Sequence, residues 1–196
     1  MKRMPVIAAA LAVSAVLHGS CGSGAPGAAA VVGPDRISER ELADAVGEVL
    51  RAGGRPENTA NADLTRTILD RMVKVALVDQ AATRAGVVVT QGEIDRVMAD
   101  YQQQAGGAAQ FDGVLLGQGI APSQADVAVK LNIQAQKLAE AIAPGADPQS
   151  AGMELVNALG QYSIMIGTEI SPRYGTWDIS NLSIGGQPSD LSIRIG

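Results

Sequence analysis

The sequence has one cysteine, one histidine and few aromatic residues, and each scarcity excludes a class of protein. With Cys21 as the only thiol, an internal disulfide is impossible. The one imidazole, His18, lies in the N-terminal leader, so the rest of the chain has no Ser-His-Asp or Cys-His catalytic site and no histidine-ligated zinc site. Ala, Val and Leu are abundant instead, which favours a helical bundle over a β-sandwich.

The apolar run at residues 6–17 is well short of the about 20 residues that a membrane-spanning helix needs. It follows the basic residues Lys2 and Arg3, and small residues come after it. This order is typical of a secretory signal peptide, which is removed and takes no part in the fold. We therefore predict that residues 1–20 are a signal peptide and that the protein is exported.

Cys21 directly follows this leader and precedes Gly22, Ser23 and Gly24. The arrangement resembles the bacterial lipobox, in which cleavage leaves a cysteine as the first mature residue and lipid is attached to it. The lipobox pattern has Leu three residues before the cysteine, whereas here His18 holds that place and Leu17 comes one residue too early. The resemblance implies a lipid anchor on Cys21 at the extracytoplasmic face of the cell membrane. A free thiol after ordinary cleavage is the alternative.

The chain is acidic, and removal of the leader makes it more so. Residues 1–20 contain two basic residues and no acidic residue, so the formal net charge changes from −5 to −7. This balance argues against nucleic acid as a partner and against electrostatic docking on anionic lipid. Membrane contact is therefore expected only through the acyl chains of the anchor, at about 0.8 kcal/mol per buried methylene.

Residues 21–30 contain only Cys, Gly, Ser, Ala and Pro. Because such side chains lack the bulk to pack, we predict a flexible tether here. Residues 22–27 also spell GxGxxG, the dinucleotide-binding pattern, but that pattern requires a strand before it and a helix after it. A signal peptide precedes this copy, so we expect no cofactor.

Residues 31–180 predict a single, mainly α domain of several helices with a short extended closing segment. Capping boxes at residues 38–41 and 90–93 predict two helix starts. The segment 62–85 is apolar around most of its circumference and ends before Gly86, which predicts a central helix that others surround. Four helices are expected after it, the first of them at the second capping box and the last over residues 148–166. Residues 181–196 predict a frayed tail.

The segment 168–178 has β-formers, a proline and no helical period, so we predict that it returns to the bundle as a strand beside residues 31–32. Tyr174 and Trp177 are interpreted as anchors of this segment, with Trp177 buried against the first two helices. Ligand stacking by these two rings is the alternative. Arg173 is expected to pair with a carboxylate of one of those helices.

The order of these segments resembles the SurA-type periplasmic chaperones and their PrsA and PpiD relatives, over about residues 31–180. The resemblance implies the helical N-terminal domain of that family, completed by the closing segment. The family's parvulin isomerase module has no counterpart here, so the resemblance implies an actinobacterial-type lipoprotein without isomerase activity. The similarity is carried by Val32-Gly33 with Ile37-Ser38-Glu39, by Ile68-Leu69-Asp70 with residues 77–82, by residues 86–95, and by Pro172-Arg173-Tyr174-Gly175-Thr176-Trp177-Asp178.

Two functions remain open. The resemblance implies a lipid-anchored, ATP-independent chaperone that holds unfolded or partly folded exported proteins. The alternative is a structural lipoprotein that binds one specific envelope partner. Exposed methionines would suit an adaptable client groove, although core packing is their commoner use. The methionines in question are Met72, Met98, Met153 and Met165.

An enzyme is not expected. Carboxylate-only chemistry is the one catalytic option that the composition leaves, with Glu39 and Glu41 or Asp95 and Asp100 as its candidates. Because these residues lie beside capping boxes and on polar helix faces, solvated helix charge is the preferred interpretation.

Overall fold

The computed structural model describes residues 26–185, which form a mainly α-helical domain. Of the helices in this range, none combines the length and the apolarity needed to cross a membrane. Two 3₁₀ turns lie at Glu57–Thr59 and Pro122–Gln124. Within the described range the helices are α1 Glu39–Ala52, α2 Ala62–Ala85, α3 Gln91–Ala105, α4 Ala108–Gly117, α5 Ala125–Ile142 and α6 Pro148–Ile166.

The helix boundaries follow the predicted capping residues. At the start of α1 the Ser38 hydroxyl accepts the Glu41 N–H at 3.1 Å, and the Glu41 carboxylate accepts the Ser38 N–H at 2.7 Å. Thr90 and Glu93 form the same capping box at the start of α3. Gly86 ends α2 with φ +70°, a left-handed conformation that glycine adopts without steric cost. The predicted helices are therefore confirmed.

The core is built around α2, which confirms the predicted central helix. Ile68, Leu69, Val73 and Leu77 are fully buried. They lie where α1, α5, α6 and the strands pack on α2. Burial of each such side chain stabilises the fold by about 1.5–3 kcal/mol, so α2 is the element on which the domain depends most.

A three-stranded antiparallel sheet joins the two ends of the domain. Its strands are β1 Ala28–Val32, β2 Asp35–Ser38 and β3 Thr168–Ile170, in the order β2-β1-β3. Val32 pairs with Thr168 and Val31 with Glu169. The predicted strand beside residues 31–32 is thereby confirmed for residues 168–170, whereas the rest of the segment 168–178 does not pair with β1.

The predicted tether at residues 21–30 is wrong at its C-terminal end. Residues 28–30 belong to β1, and Ala29 and Ala30 are 0% and 1% exposed. Their small side chains, which argued against packing, are what allow β1 to lie close to α2 between two strands. Residues 21–25 lie outside the described range.

The predicted frayed tail at residues 181–196 is also wrong at its start. Residues 183–185 form β5 (Ser183–Gly185), which pairs with β4 (Thr176–Asp178) as an antiparallel hairpin. Leu182 and Ile184 are buried, and the Ile184 N–H donates to Asp70 Oδ1 of α2 at 2.8 Å. These two apolar side chains outweigh the Ser- and Gly-rich surroundings that suggested fraying. Residues 186–196 lie outside the described range.

Candidate functional site

The closing segment returns to the start of the helical domain through Tyr174 and Arg173. The Tyr174 hydroxyl donates to Glu39 of α1, and Arg66 Nε of α2 donates to the Tyr174 carbonyl oxygen at 3.1 Å. Arg173 Nη1 lies 3.4 Å from Glu39 Oε1. The predicted pairing of Arg173 with a carboxylate of the first two helices is therefore confirmed. Pro172 and Gly175 lie in the connection on either side of these contacts.

Burial of the Tyr174 ring, together with its hydrogen bond to Glu39, raises the pKa of this phenol to about 12. The hydroxyl therefore remains protonated and remains a donor at neutral pH. The Arg173 guanidinium carbon lies 5.4 Å from the centre of the same ring, within cation–π distance. The hydroxyl is thus engaged by Glu39 and the ring by Arg173. This favours an anchoring role for Tyr174 over ligand stacking.

Trp177 is partly buried against the main core, and its hydrogen bond is made to α6, a helix that the sequence interpretation did not name as its partner. The indole Nε1 donates to Ser163 Oγ of α6 at 3.1 Å. Ser163 is 1% exposed and donates in turn to the Gly160 carbonyl oxygen at 2.8 Å. A turn closed by the Tyr174 N–H and the Ser171 carbonyl oxygen follows β3 and places Tyr174 ahead of the strand that contains Trp177. Tyr174 therefore anchors to α1 and α2, while Trp177 anchors the hairpin to α6.

The carboxylates considered for catalysis do not share a cleft. Glu39 pairs with the closing segment, and Glu41 caps α1, where hydrogen bonds from Ser38 lower its pKa. Asp95 and Asp100 are exposed on α3. This placement favours the structural interpretation of all four residues. Cys21, the predicted lipidation site, lies outside the described residues.

A groove of about 790 Å³ lies between α1 and α5, with α2 as its floor. We call it the α1–α5 groove. Apolar side chains make up about half of its lining residues, including Met72 among the predicted methionines and Val127, which is 37% exposed. The apolar lining consists of Ile37, Ala45, Val49, Met72, Val75, Ala76, Ala121, Val127 and Leu131.

The α5 wall of this groove is fixed by a polar clamp to the floor. Lys130 Nζ lies 2.5 Å from Asp79 Oδ1 of α2, and Gln134 Nε2 donates to the same oxygen at 2.9 Å. These two hydrogen bonds lower the pKa of Asp79, so its carboxylate stays charged at neutral pH. The clamp therefore fixes this part of α5 to α2.

A second groove of about 690 Å³ lies on the other side of α5, and α3 and α4 form its remaining walls. We call it the α4–α5 groove. Tyr101 and Phe111 occupy it, with ring centres 6.2 Å apart, and the Tyr101 hydroxyl donates to Asn132 Oδ1 at 3.1 Å. These rings pack on each other, so each covers part of the apolar surface of the other.

Arg71 of α2 lines both grooves. Its Nη2 donates to the Gly119 carbonyl oxygen at 3.3 Å, whereas its buried Nε has no hydrogen-bond partner within residues 26–185. Burial lowers the pKa of this guanidinium. A buried donor left unpaired costs about 1–3 kcal/mol of stability. A contribution to stability therefore does not explain why an arginine occupies position 71.

The sequence interpretation did not identify these grooves. A usable signal was present on α1, where Glu41, Asp44 and Glu48 recur at helical spacing beside the buried positions Leu42 and Val49. Arg71 gave a second signal as one of two cations, with Lys74, within the apolar part of α2. Of the other predicted methionines, Met98 packs beside the core of α3 and α5, and Met153 and Met165 are exposed on α6.

Comparison with known proteins agrees with the resemblance. The family model described as the SurA-like N-terminal domain matches residues 2–139, which end within α5. The protein called Chaperone SurA from Cupriavidus pinatubonensis is 38% identical over 78 residues, which make up 38% of this chain and 15% of that protein. Chaperone SurA from Cupriavidus metallidurans is 40% identical over 78 residues, or 38% of this chain and 16% of that protein. The match thus spans only about a sixth of these relatives, and no solved structure matches the chain significantly.

Proposed function

Because the chain belongs to the family of SurA-like N-terminal domains, we propose that it is an ATP-independent chaperone. In this proposal it holds unfolded or partly folded exported proteins and prevents their aggregation. The two curated relatives that it resembles carry the name of a chaperone, which supports the general role. The client-binding site is the α1–α5 groove.

The observation that carries this proposal is the apolar floor of that groove. Met72, Val75 and Ala76 are partly exposed on the central helix, although Val73 and Leu77 beside them are fully buried. An unfolded segment laid between α1 and α5 would cover this apolar surface, at about 25 cal/mol per Å² of surface removed from water. Methionine adapts its shape to different partners, which suits a site that accepts many sequences.

The proposed location is the extracytoplasmic face of the cell membrane, with the anchor on Cys21. The order of basic residues, apolar run and cysteine supports this location. Cys21 precedes the first residue of β1 by seven positions, so the anchor would hold the domain within about 25 Å of the lipid even with the connection fully extended.

The test of the proposed function is suppression of aggregation without nucleotide. Chemically denatured citrate synthase is diluted into buffer with or without the purified chain, and light scattering is recorded. We expect scattering to fall as the chain approaches the concentration of the client, with no effect of added ATP. Undiminished scattering at a large excess of the chain would contradict the chaperone function.

We also propose that the protein has no prolyl isomerase activity, because its one histidine lies in the leader. Uncatalysed isomerisation takes tens to hundreds of seconds, so catalysis is easily measured with a prolyl peptide. The expected rate is that of the peptide alone. An acceleration that grows with the concentration of the chain would disprove this part of the proposal.

One observation favours the alternative of a lipoprotein with a single envelope partner. Ile164 and Met165 at the end of α6 are 56% and 60% exposed and lie outside both grooves. A partner docked there would bind independently of the α1–α5 groove. Recovery of one protein from the native envelope, lost on Ile164→Asn but not on Val127→Asn, would favour this alternative.

A further inference from the structure

The α1 wall of the α1–α5 groove carries a row of carboxylates above its apolar floor. Glu41, Asp44 and Glu48 are three and four residues apart, so they share one face of α1, and all three line the groove. Five carboxylates and three cationic side chains line the groove altogether. The lowered pKa of Glu41, caused by hydrogen bonds from Ser38, keeps that carboxylate charged at neutral pH.

The cationic side chains of the lining are already engaged. Lys130 is held by Asp79 at 2.5 Å, and Arg51 Nε lies 3.0 Å from Glu57 outside the groove. Arg71 is turned to the Gly119 carbonyl oxygen. Arg71 also attracts Glu48 electrostatically, so these cations compensate the charge of the α1 wall only in part.

Two carboxylates of the α1 wall are held by neutral hydroxyls, because Glu41 accepts a hydrogen bond from Ser38 and Glu48 accepts one from Ser123. Within residues 26–185, no lysine or arginine lies within salt-bridge distance of Glu41 or Glu48. Asp44 lies 3.9 Å from Arg40, with the two side chains 75% and 91% exposed, which makes this pair weak. Negative charge thus borders an apolar floor along one side of the groove.

We propose that the α1–α5 groove selects unfolded segments in which lysine or arginine residues adjoin apolar residues. This inference rests on the proposed chaperone function and names the class of client segment that the groove accepts. Apolar side chains of the segment cover Met72 and Val75, while its cations face the α1 wall. Complementary charge speeds the encounter and fixes the register of the segment in the groove.

The spacing of the carboxylates sets the spacing of the cations. Asp44 and Glu48 are about 6 Å apart along the helix axis, since an α-helix rises 1.5 Å per residue. In an extended chain, residues i and i+2 lie on the same side about 6.6 Å apart. Two cations separated by one residue therefore match Asp44 and Glu48, and the residue between them points away from the α1 wall.

The test uses three fluorescein-labelled peptides with the same apolar sequence. They differ at two positions, which hold Lys-x-Lys, Gln-x-Gln or Glu-x-Glu, and anisotropy gives a Kd for each with the purified chain. We expect the lysine peptide to bind about tenfold more tightly than the glutamine peptide, and the glutamate peptide to bind most weakly. Added salt should shrink these differences.

A pair of matched variants locates the preference. Asp44→Asn with Glu48→Gln removes two charges from the α1 wall, while Asp95→Asn with Asp100→Asn removes two from the exposed side of α3. The preference for lysine should fall below about threefold in the first variant and stay near tenfold in the second.

Three results would overturn the inference. Equal affinity for all three peptides refutes the charge preference but leaves the chaperone function intact. A preference for lysine that survives in the α1 variant and disappears in the α3 variant shows that carboxylates outside this groove bind the lysines of the peptide. Failure of every peptide to bind refutes the proposed function together with the preference.

Discussion

Tyr174 and Glu39 are 135 positions apart in the chain and are joined by a hydrogen bond from the phenol to the carboxylate. The bond ties the segment after β3 to the first turn of α1. Arg66 holds the same segment from α2 by donating to the Tyr174 carbonyl oxygen. The first and last parts of the described chain therefore form one structural unit.

Removing this hydrogen bond should destabilise the whole domain. Tyr174→Phe is expected to lower the free energy of unfolding by about 1–2 kcal/mol, because the bond is made to a charged acceptor. Tyr162→Phe is the control, since the Tyr162 hydroxyl has no hydrogen bond to another described residue. Urea denaturation measures both. Equal effects of the two substitutions would contradict the anchoring role of Tyr174.

The hairpin of β4 and β5 packs against α6 at Gly160. A Cβ placed there would meet the Ile179 carbonyl oxygen at 2.5 Å, closer than real contacts allow. Gly160→Ala should therefore lower the melting temperature despite the better helix propensity of alanine. Gly152→Ala, in the same helix with open space around it, should stabilise the domain by up to about 1 kcal/mol. A gain at both positions would show that the hairpin does not lie on α6.

Acid should weaken the link between α3 and α5. Lys137, 2.6 Å from Glu93 Oε1, and the capping bonds from Thr90 lower the pKa of Glu93 from 4.5 to about 2. A carboxyl group whose pKa is lower in the folded state stabilises that state above pH 4.5 and loses the effect as the pH falls towards 2. The melting temperature of Glu93→Gln should lie below that of the parent at pH 7 and approach it near pH 2. Glu154→Gln, at an exposed position of α6, serves as the control. A difference in melting temperature between Glu93→Gln and the parent that stays constant across this pH range would refute the account.

Much of this fold could be predicted from local signals. The capping boxes at Ser38 and Thr90 and the stop at Gly86 mark helix ends through hydrogen bonds between near neighbours, so the sequence alone contains them. The burial of Ala29 and of Ile184 depends on distant elements that meet only in the folded chain. The α1–α5 groove depends likewise on how α1 and α5 settle on α2, to which the Lys130–Asp79 contact fixes α5. The hydrophobic periodicity of the sequence therefore predicts neither this burial nor the groove.

Lipid attachment is the proposed basis of membrane location. Cys21→Ser should move the protein from the membrane fraction to the soluble extracytoplasmic fraction, because one hydroxyl-bearing residue cannot replace the acyl chains that supply the binding energy. Ser23→Ala is the control, since it changes a neighbouring small residue and keeps the thiol. Immunoblotting of the separated fractions measures both variants. Full retention of Cys21→Ser in the membrane would contradict the lipid anchor.

The most direct test of the account is whether clients occupy the α1–α5 groove. Three exposed valines permit one identical change in three settings: Val127 lines this groove, Val114 lines the α4–α5 groove, and Val88 lies in neither. Each is replaced by Asn, folding is verified by circular dichroism, and the suppression of citrate synthase aggregation is measured. We predict that Val127→Asn raises the concentration needed for half-suppression several-fold, because it places an amide where an apolar side chain of the client packs. Val88→Asn and Val114→Asn should match the parent chain. An unchanged Val127→Asn, or a loss shared equally by all three, would contradict the claim that the α1–α5 groove holds unfolded clients.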